Sequence, residues 1–97
     1  MTPELADTLA RDFARRLRDV CGAAALVEMD RRNRDDYPDG ACASHDFCDA
    51  NIVMAATLEA YLDLAPGSLE LDDSTIPLWD GAWNHAAQAG FARLAGI

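Results

Sequence analysis

The stretch that decides the fold is TPELADTLARDFARRLRDV, residues 2–20. Thr2 is a favoured residue type at a helix N-cap, and Pro3 is favoured in the first helical turn, so a helix is predicted to begin here. Large apolar residues then recur at spacings of three and four, which places them on one face of the helix. These residues are Leu5, Leu9, Phe13, Leu17 and Val20. The stretch therefore predicts an amphipathic helix with one buried face.

The next two-fifths of the chain predict two more helices and a loop. Gly22 either ends the first helix or interrupts it, and residues 23–29 favour a short second helix. Residues 30–40 have no apolar period and end in turn-forming residues, so they are interpreted as a loop. A longer helix is predicted from about Ser44 to Leu64, because Pro66 and Gly67 stop it. Its apolar residues cover much of its circumference, which predicts that it is the central helix.

The C-terminal part predicts an acidic connection and a last helix. Leucines alternate with polar residues near 68–72, and this segment is expected either to lie extended or to form one edge strand. Ser74 or Thr75 followed by Pro77 predicts the start of a helix in which Trp79 and Trp83 face inward. The predicted fold is a single all-α domain, residues 1–97, with three to four helices and at most one short extended segment.

The charge of the chain is negative and unevenly distributed. The formal net charge is −9, and the sequence has no lysine. Residues 1–40 hold seven arginines against nine acidic residues, whereas residues 41–97 hold one arginine against eight. A field of this sign repels phosphate backbones and anionic lipid headgroups. Direct binding of nucleic acid or membranes is therefore disfavoured, and a basic protein partner would be attracted.

The sequence also predicts a cytoplasmic protein without disulfide bonds. The N-terminal residues carry charges where a signal peptide needs an apolar run. No stretch approaches the length of apolar sequence that spans a membrane. The three cysteines are an odd number, which in a reducing compartment argues against a disulfide framework.

One segment concentrates residues with chemical potential, Cys42-Ala-Ser-His45-Asp46-Phe-Cys48-Asp49. Thiolates and an imidazole at this spacing can hold zinc, so Cys42, His45 and Cys48 form a candidate metal site. The fourth ligand would be His85, Asp49 or Cys21. The alternative is that these cysteines are small core residues and bind no cofactor.

The pattern Cys42-x-x-His45-Asp46-x-Cys48 resembles the active-site helix of secreted calcium-dependent phospholipases. The resemblance implies that His45 would be the general base that activates water and that Asp46 would bind calcium. It also implies Asp80 as a second carboxylate that orients the imidazole. The first cysteine of the family's pair is replaced by Ala41, and the glycine-rich calcium loop is absent from residues 20–40.

Two longer segments resemble short bacterial and phage proteins that have no assigned activity. They are His45-Asp-Phe-Cys-Asp-Ala-Asn51 and the stretch from Leu78 to Phe91. The resemblance implies a phage or other mobile-element origin and brings no reaction with it.

The leading functional hypothesis is a non-enzymatic interaction protein that acts through a surface, as a homodimer or against another protein. Tryptophan is enriched at interface hot spots, and acidic residues cluster in the C-terminal half. The candidate partner surface consists of Trp79, Trp83, Glu70, Asp72, Asp73 and Asp80. A sharper version adds Glu59 and Asp63, so that one acidic face imitates DNA and inhibits a nuclease. The alternatives are the zinc module and, more remotely, the calcium-dependent hydrolase.

Overall fold

A computed structural model of the chain describes residues 1–36 and 49–97. The described helices are α1 (Pro3–Cys21), α2 (Ala23–Asp35), α3 (Ala50–Leu62), α4 (Ile76–Ala89) and α5 (Phe91–Leu94). Within these two ranges there is no strand, which confirms the predicted all-α class. Four of the helices have 13 or more residues, and α5 is a short final turn of 4.

Helix α1 begins as the sequence predicts. The Thr2 hydroxyl accepts a hydrogen bond from the Leu5 amide at 3.2 Å, which satisfies one of the unpaired N–H groups of the first turn. Phe13 and Leu17 are fully buried. Val20, predicted on the same face, is 63% exposed. Helical spacing places a residue on a face, but it does not determine whether a neighbouring element reaches that point.

The predicted loop at 30–40 is wrong for its first half, because α2 continues through Asp35. The carboxylate of Glu28 lies 2.9 Å from Nη2 of Arg31 and 3.3 Å from Nε of Arg32. Oppositely charged residues three and four positions apart stabilise a helix without any apolar period. The remainder of the predicted loop, 37–40, lies outside the described residues.

Of the helix predicted from Ser44 to Leu64, the described residues contain α3, Ala50–Leu62. Helix α3 begins at Ala50, and Asp49 before it has a left-handed backbone with φ 53°, so the helix does not continue through Asp49. Residues 44–48 lie outside the described part. The central helix is α1, because it contacts α2, α3, α4 and α5. Ile52, on the wide apolar surface that led to the opposite prediction, is exposed to solvent.

The centre of the core is aromatic. The ring of Phe13 on α1 lies 5.0 Å from the ring of Trp83 on α4 and 5.7 Å from that of Phe91 on α5, measured between centroids. Trp83 is 2% exposed and Phe91 is fully buried. Tilted and edge-to-face contacts at these distances stabilise beyond the burial of area. Three helices are therefore held by one cluster of rings.

The connection between α3 and α4 is irregular rather than a strand. Its segment 68–72 packs the Leu69 side chain against the core. The Leu69 amide donates to the Glu59 carboxylate at 3.0 Å, and Glu59 itself is 7% exposed. A buried carboxylate thus anchors the connection that precedes α4.

The final residues fold back onto the first two helices. A guanidinium nitrogen of Arg18 donates to the Ala95 carbonyl at 2.6 Å. Phe91, Leu94 and Ala95 are buried. Among the helices of the two described ranges, none is both long enough and apolar enough to cross a membrane.

Candidate functional site

The centre of the zinc and hydrolase hypotheses lies outside the described residues. Cys42, His45, Asp46 and Cys48 all fall in 37–48. Asp80, the carboxylate proposed to orient His45, is exposed on α4. Both hypotheses therefore stay predictions.

His85, the proposed fourth zinc ligand, is engaged with a carboxylate of α1. Its Nε2 lies 3.0 Å from Oδ1 of Asp7, and Oδ2 of Asp7 accepts from Nε of Arg11 at 2.7 Å. The hydrogen bond from Arg11, followed by that from His85, holds the pKa of Asp7 below its usual range. The three side chains form a half-exposed polar contact between α1 and α4. In the part of the chain that the structure describes, no three His, Cys, Asp or Glu side chains meet in a way that could hold a metal ion.

Cys21 is disulfide-bonded at the end of α1, which corrects the prediction that the cysteines are reduced. A sulfur in a disulfide is not available as a thiolate ligand, so Cys21 is not the fourth zinc ligand in this state. The other two cysteines, Cys42 and Cys48, lie outside the described residues. The number of cysteines no longer supports the cytoplasmic assignment, which stays a prediction.

The two tryptophans of the proposed partner surface have different roles. Their rings stack at a centroid distance of 6.0 Å with an interplanar angle of 14°. Trp83 belongs to the core, whereas Trp79 is half-buried at its margin. Of the two tryptophans, only Trp79 has a ring that a partner could contact, and Trp83 stacks against it from the core side.

The acidic residues of the proposed surface are exposed, whereas Glu59 of its DNA-mimic version is buried. Glu70, Asp72, Asp73 and Asp80 are all exposed. Oδ1 of Asp72 accepts from the Ser74 and Thr75 amides at 2.9 and 3.1 Å, so this carboxylate also holds the turn before α4. Glu59, which the DNA-mimic version placed on the acidic face, is buried under the connection and does not contribute to the surface.

Exposed apolar side chains lie among these acids. They are Tyr61, Leu64, Leu71 and Ile76, and they are between 41% and 54% exposed. We call residues 61–80, from the last turn of α3 to the first turn of α4, the acidic end. Sequence reasoning identified its charges. It did not identify its exposed apolar residues, because the prediction for 68–72 was only that the segment lies extended or forms one edge strand.

A second surface was not predicted from the sequence. Arg16, Asp19 and Val20 of α1 and Ile52, Val53 and Ala56 of α3 line a groove of about 360 Å³, which we call the α1–α3 groove. Its floor is apolar and its margin carries one cation and one anion. Apolar spacing places Val20 and Ile52 on predicted buried helix faces, so the sequence does not predict an open groove here.

Comparison of the chain with protein-family models, curated proteins and solved structures gives no match.

Proposed function

We propose that this chain is a non-enzymatic interaction protein and that its acidic end binds a basic protein partner. The observation that carries the proposal is the exposure of Leu71, which is 54% exposed between Glu70 and Asp72. Exposed apolar side chains give affinity when a partner buries them. Neighbouring charges of one sign orient an oppositely charged partner and raise its rate of association.

The charge pattern of this surface is one-sided. Between residues 49 and 92 the sequence contains no lysine or arginine, so no basic side chain of this segment neutralises the acids of the acidic end. A surface of uniform sign accelerates encounter with an oppositely charged protein, and the effect weakens as salt screens the charges. We therefore expect a partner with an Arg- or Lys-rich surface. A nucleic-acid-binding protein has such a surface, and the acidic end would then take the place of a phosphate backbone.

The proposal includes no catalytic step. The Arg11 and His85 side chains are both hydrogen-bonded to Asp7, and this contact joins α1 and α4. An origin in a phage or another mobile element fits an inhibitor of this kind, and it remains part of the proposal.

The test is site-specific photocrosslinking in the cells from which the protein comes. A benzoylphenylalanine replaces Leu71 in one variant and Val27 in the other, a matched control that is 53% exposed on α2. The expected result is a crosslink to a basic protein from position 71 and none from position 27. No crosslink from position 71, or equal crosslinks from both positions, would contradict the proposal.

A second measurement tests the role of charge with the partner so identified. The variant Glu70→Gln/Asp73→Asn removes two charges from the acidic end, and Glu4→Gln/Asp36→Asn removes two exposed charges from α1 and the C-terminal end of α2. We expect the first variant to weaken binding by roughly tenfold at low salt and the second to have little effect. Equal effects of the two variants would show that net charge, and not this surface, governs the association.

A further inference from the structure

The α1–α3 groove contains the most exposed apolar side chains of the described residues. Val20 is 63% exposed and Ile52 is 68% exposed, the two largest values among the large hydrophobic residues of 1–36 and 49–97. They belong to different helices, yet they line the same groove. Branched aliphatic side chains that converge on one concave surface favour a site that buries them against another protein surface.

The charged residues at the margin of the groove form a pattern that is complementary to the same pattern on a second copy of the chain. Arg16 and Asp19 are three positions apart on α1, so they lie on neighbouring parts of the same helical surface. The Arg16 side chain is anchored by Asp12, whose Oδ2 lies 3.0 Å from the Arg16 Nε. Asp19 is largely exposed and lies 3.7 Å from Arg18. A surface with one cation and one anion at this spacing matches its own copy after a twofold rotation.

We propose that the α1–α3 groove is the interface of a homodimer in which the two α1 helices pack antiparallel. A twofold axis that passes midway between positions 16 and 19 brings each Arg16 opposite Asp19 of the partner subunit. The same rotation sets the apolar groove of one subunit over that of the other, so Val20 and Ile52 become buried. Such an isologous contact is closed, which limits assembly to two copies.

This proposal goes beyond the proposed function, because it concerns a different surface. The acidic end, residues 61–80, runs from the C-terminus of α3 to the N-terminus of α4. The groove lies instead between the C-terminal part of α1 and the N-terminal part of α3. A homodimer formed through α1 and α3 leaves both acidic ends open to a heterologous partner.

The first experiment measures oligomeric state by sedimentation velocity over a range of protein concentrations. The wild type is expected to change from monomer to dimer with increasing concentration, and Ile52→Glu is expected to stay monomeric. Val27→Glu, which adds the same charge at an exposed position of α2, is the control and should dimerise like the wild type. Circular dichroism checks that the variants fold. A wild type that is monomeric throughout, or equal dimerisation of the Ile52 and Val27 variants, would overturn the proposal.

A charge-exchange experiment tests the antiparallel arrangement itself. Arg16→Glu makes both charged positions acidic and Asp19→Arg makes both basic, so each variant alone should associate at least about tenfold more weakly than the wild type. A mixture of the two restores both opposite-charge pairs, and its members should form a heterodimer. Failure of the mixture to associate more tightly than either variant alone would exclude this geometry. Glu70→Gln/Asp73→Asn should leave dimerisation unchanged, which separates this result from the test of the acidic end.

Discussion

Asp30 on α2 accepts a hydrogen bond from the backbone amide of Phe91, 61 residues later, at a distance of 2.7 Å from its Oδ1. Its Oδ2 accepts from the next amide, that of Ala92, at 3.0 Å. The first N–H groups of a helix have no partner within the helix, and Gly90 at the N-cap of α5 has no side chain to supply one. Asp30 therefore caps α5 from another helix and orients the Phe91 ring toward Phe13.

Removal of this cap should destabilise the protein. Asp30→Ala leaves two amides without their partner, and we expect the free energy of unfolding to fall by about 1–2 kcal/mol. Asp30→Asn keeps an acceptor and should cost less. Urea denaturation measures both values, and Asp73→Ala, at an exposed turn position, is the control. A loss no larger than that of the control would contradict the capping role.

Much of this fold could be predicted from residues whose partners are close in sequence. The cap at Thr2, the apolar face of α1 as far as Leu17 and the start of α4 near Pro77 all depend on spacings of a few residues, and these predictions are confirmed. The sequence analysis does not predict the continuation of α2, because it relies on the periodic spacing of apolar residues. This part of α2 is stabilised instead by ion pairs of Glu28 with Arg31 and Arg32. Asp30 seemed a loop residue for the same reason.

The candidate surfaces show where sequence reasoning stops. Val20 and Ile52 fit their helical stripes, and no property of the residues themselves says that neighbouring helices leave them uncovered. Glu59 seemed a surface acid until the structure placed the Leu69 amide over it. Exposure depends on tertiary packing, which local spacing does not contain.

The two tryptophans should differ in their contribution to stability. Trp83→Ala opens a cavity beside Phe13 in the centre of the core, and we expect a loss of about 3–5 kcal/mol. Trp79→Ala removes a half-buried ring and should cost clearly less. Chemical denaturation followed by circular dichroism gives both values without depending on tryptophan fluorescence. Similar losses of unfolding free energy for the two variants would contradict the difference in burial between the two rings.

Acid should weaken the turn before α4. Hydrogen bonds from the Ser74 hydroxyl and amide, and then from Thr75, lower the pKa of Asp72 below its ordinary value of 3.8. Because the folded state has the lower pKa, the contribution of Asp72 to stability is complete above 3.8 and is lost as the pH falls through the folded-state pKa.

The variant Asp72→Asn should therefore be less stable than the wild type at neutral pH and should lose less of its stability on acidification. Urea midpoints measured from neutral pH down to about 2 test this. Asp73→Asn removes the same charge from the next residue and controls for net charge. If the Asp72 variant keeps the full pH dependence of the wild type, the hydrogen bonds of Asp72 in this turn do not cause the loss of stability in acid.

The bond at Cys21 has a direct chemical test. Without reduction, the intact protein should lack two hydrogen atoms in its mass spectrum, and alkylation after denaturation should modify one of the three cysteines. Cleavage before aspartate separates Cys42 from Cys48 at Asp46, so the linked peptides identify the second sulfur. Reduction should lower the free energy of unfolding by about 3 kcal/mol. Alkylation of all three cysteines in the untreated protein would contradict the bond.

Because Phe91 supplies the last ring of the cluster around Phe13, the order of synthesis sets the order of folding. Helix α1 leaves the ribosome before α4 and α5, and its apolar face is fully covered only after these helices have emerged. The ring cluster around Phe13 is complete only after Phe91 has emerged. Until then part of the apolar face of α1 is exposed, and a nascent chain halted before residue 91 is expected to need a chaperone.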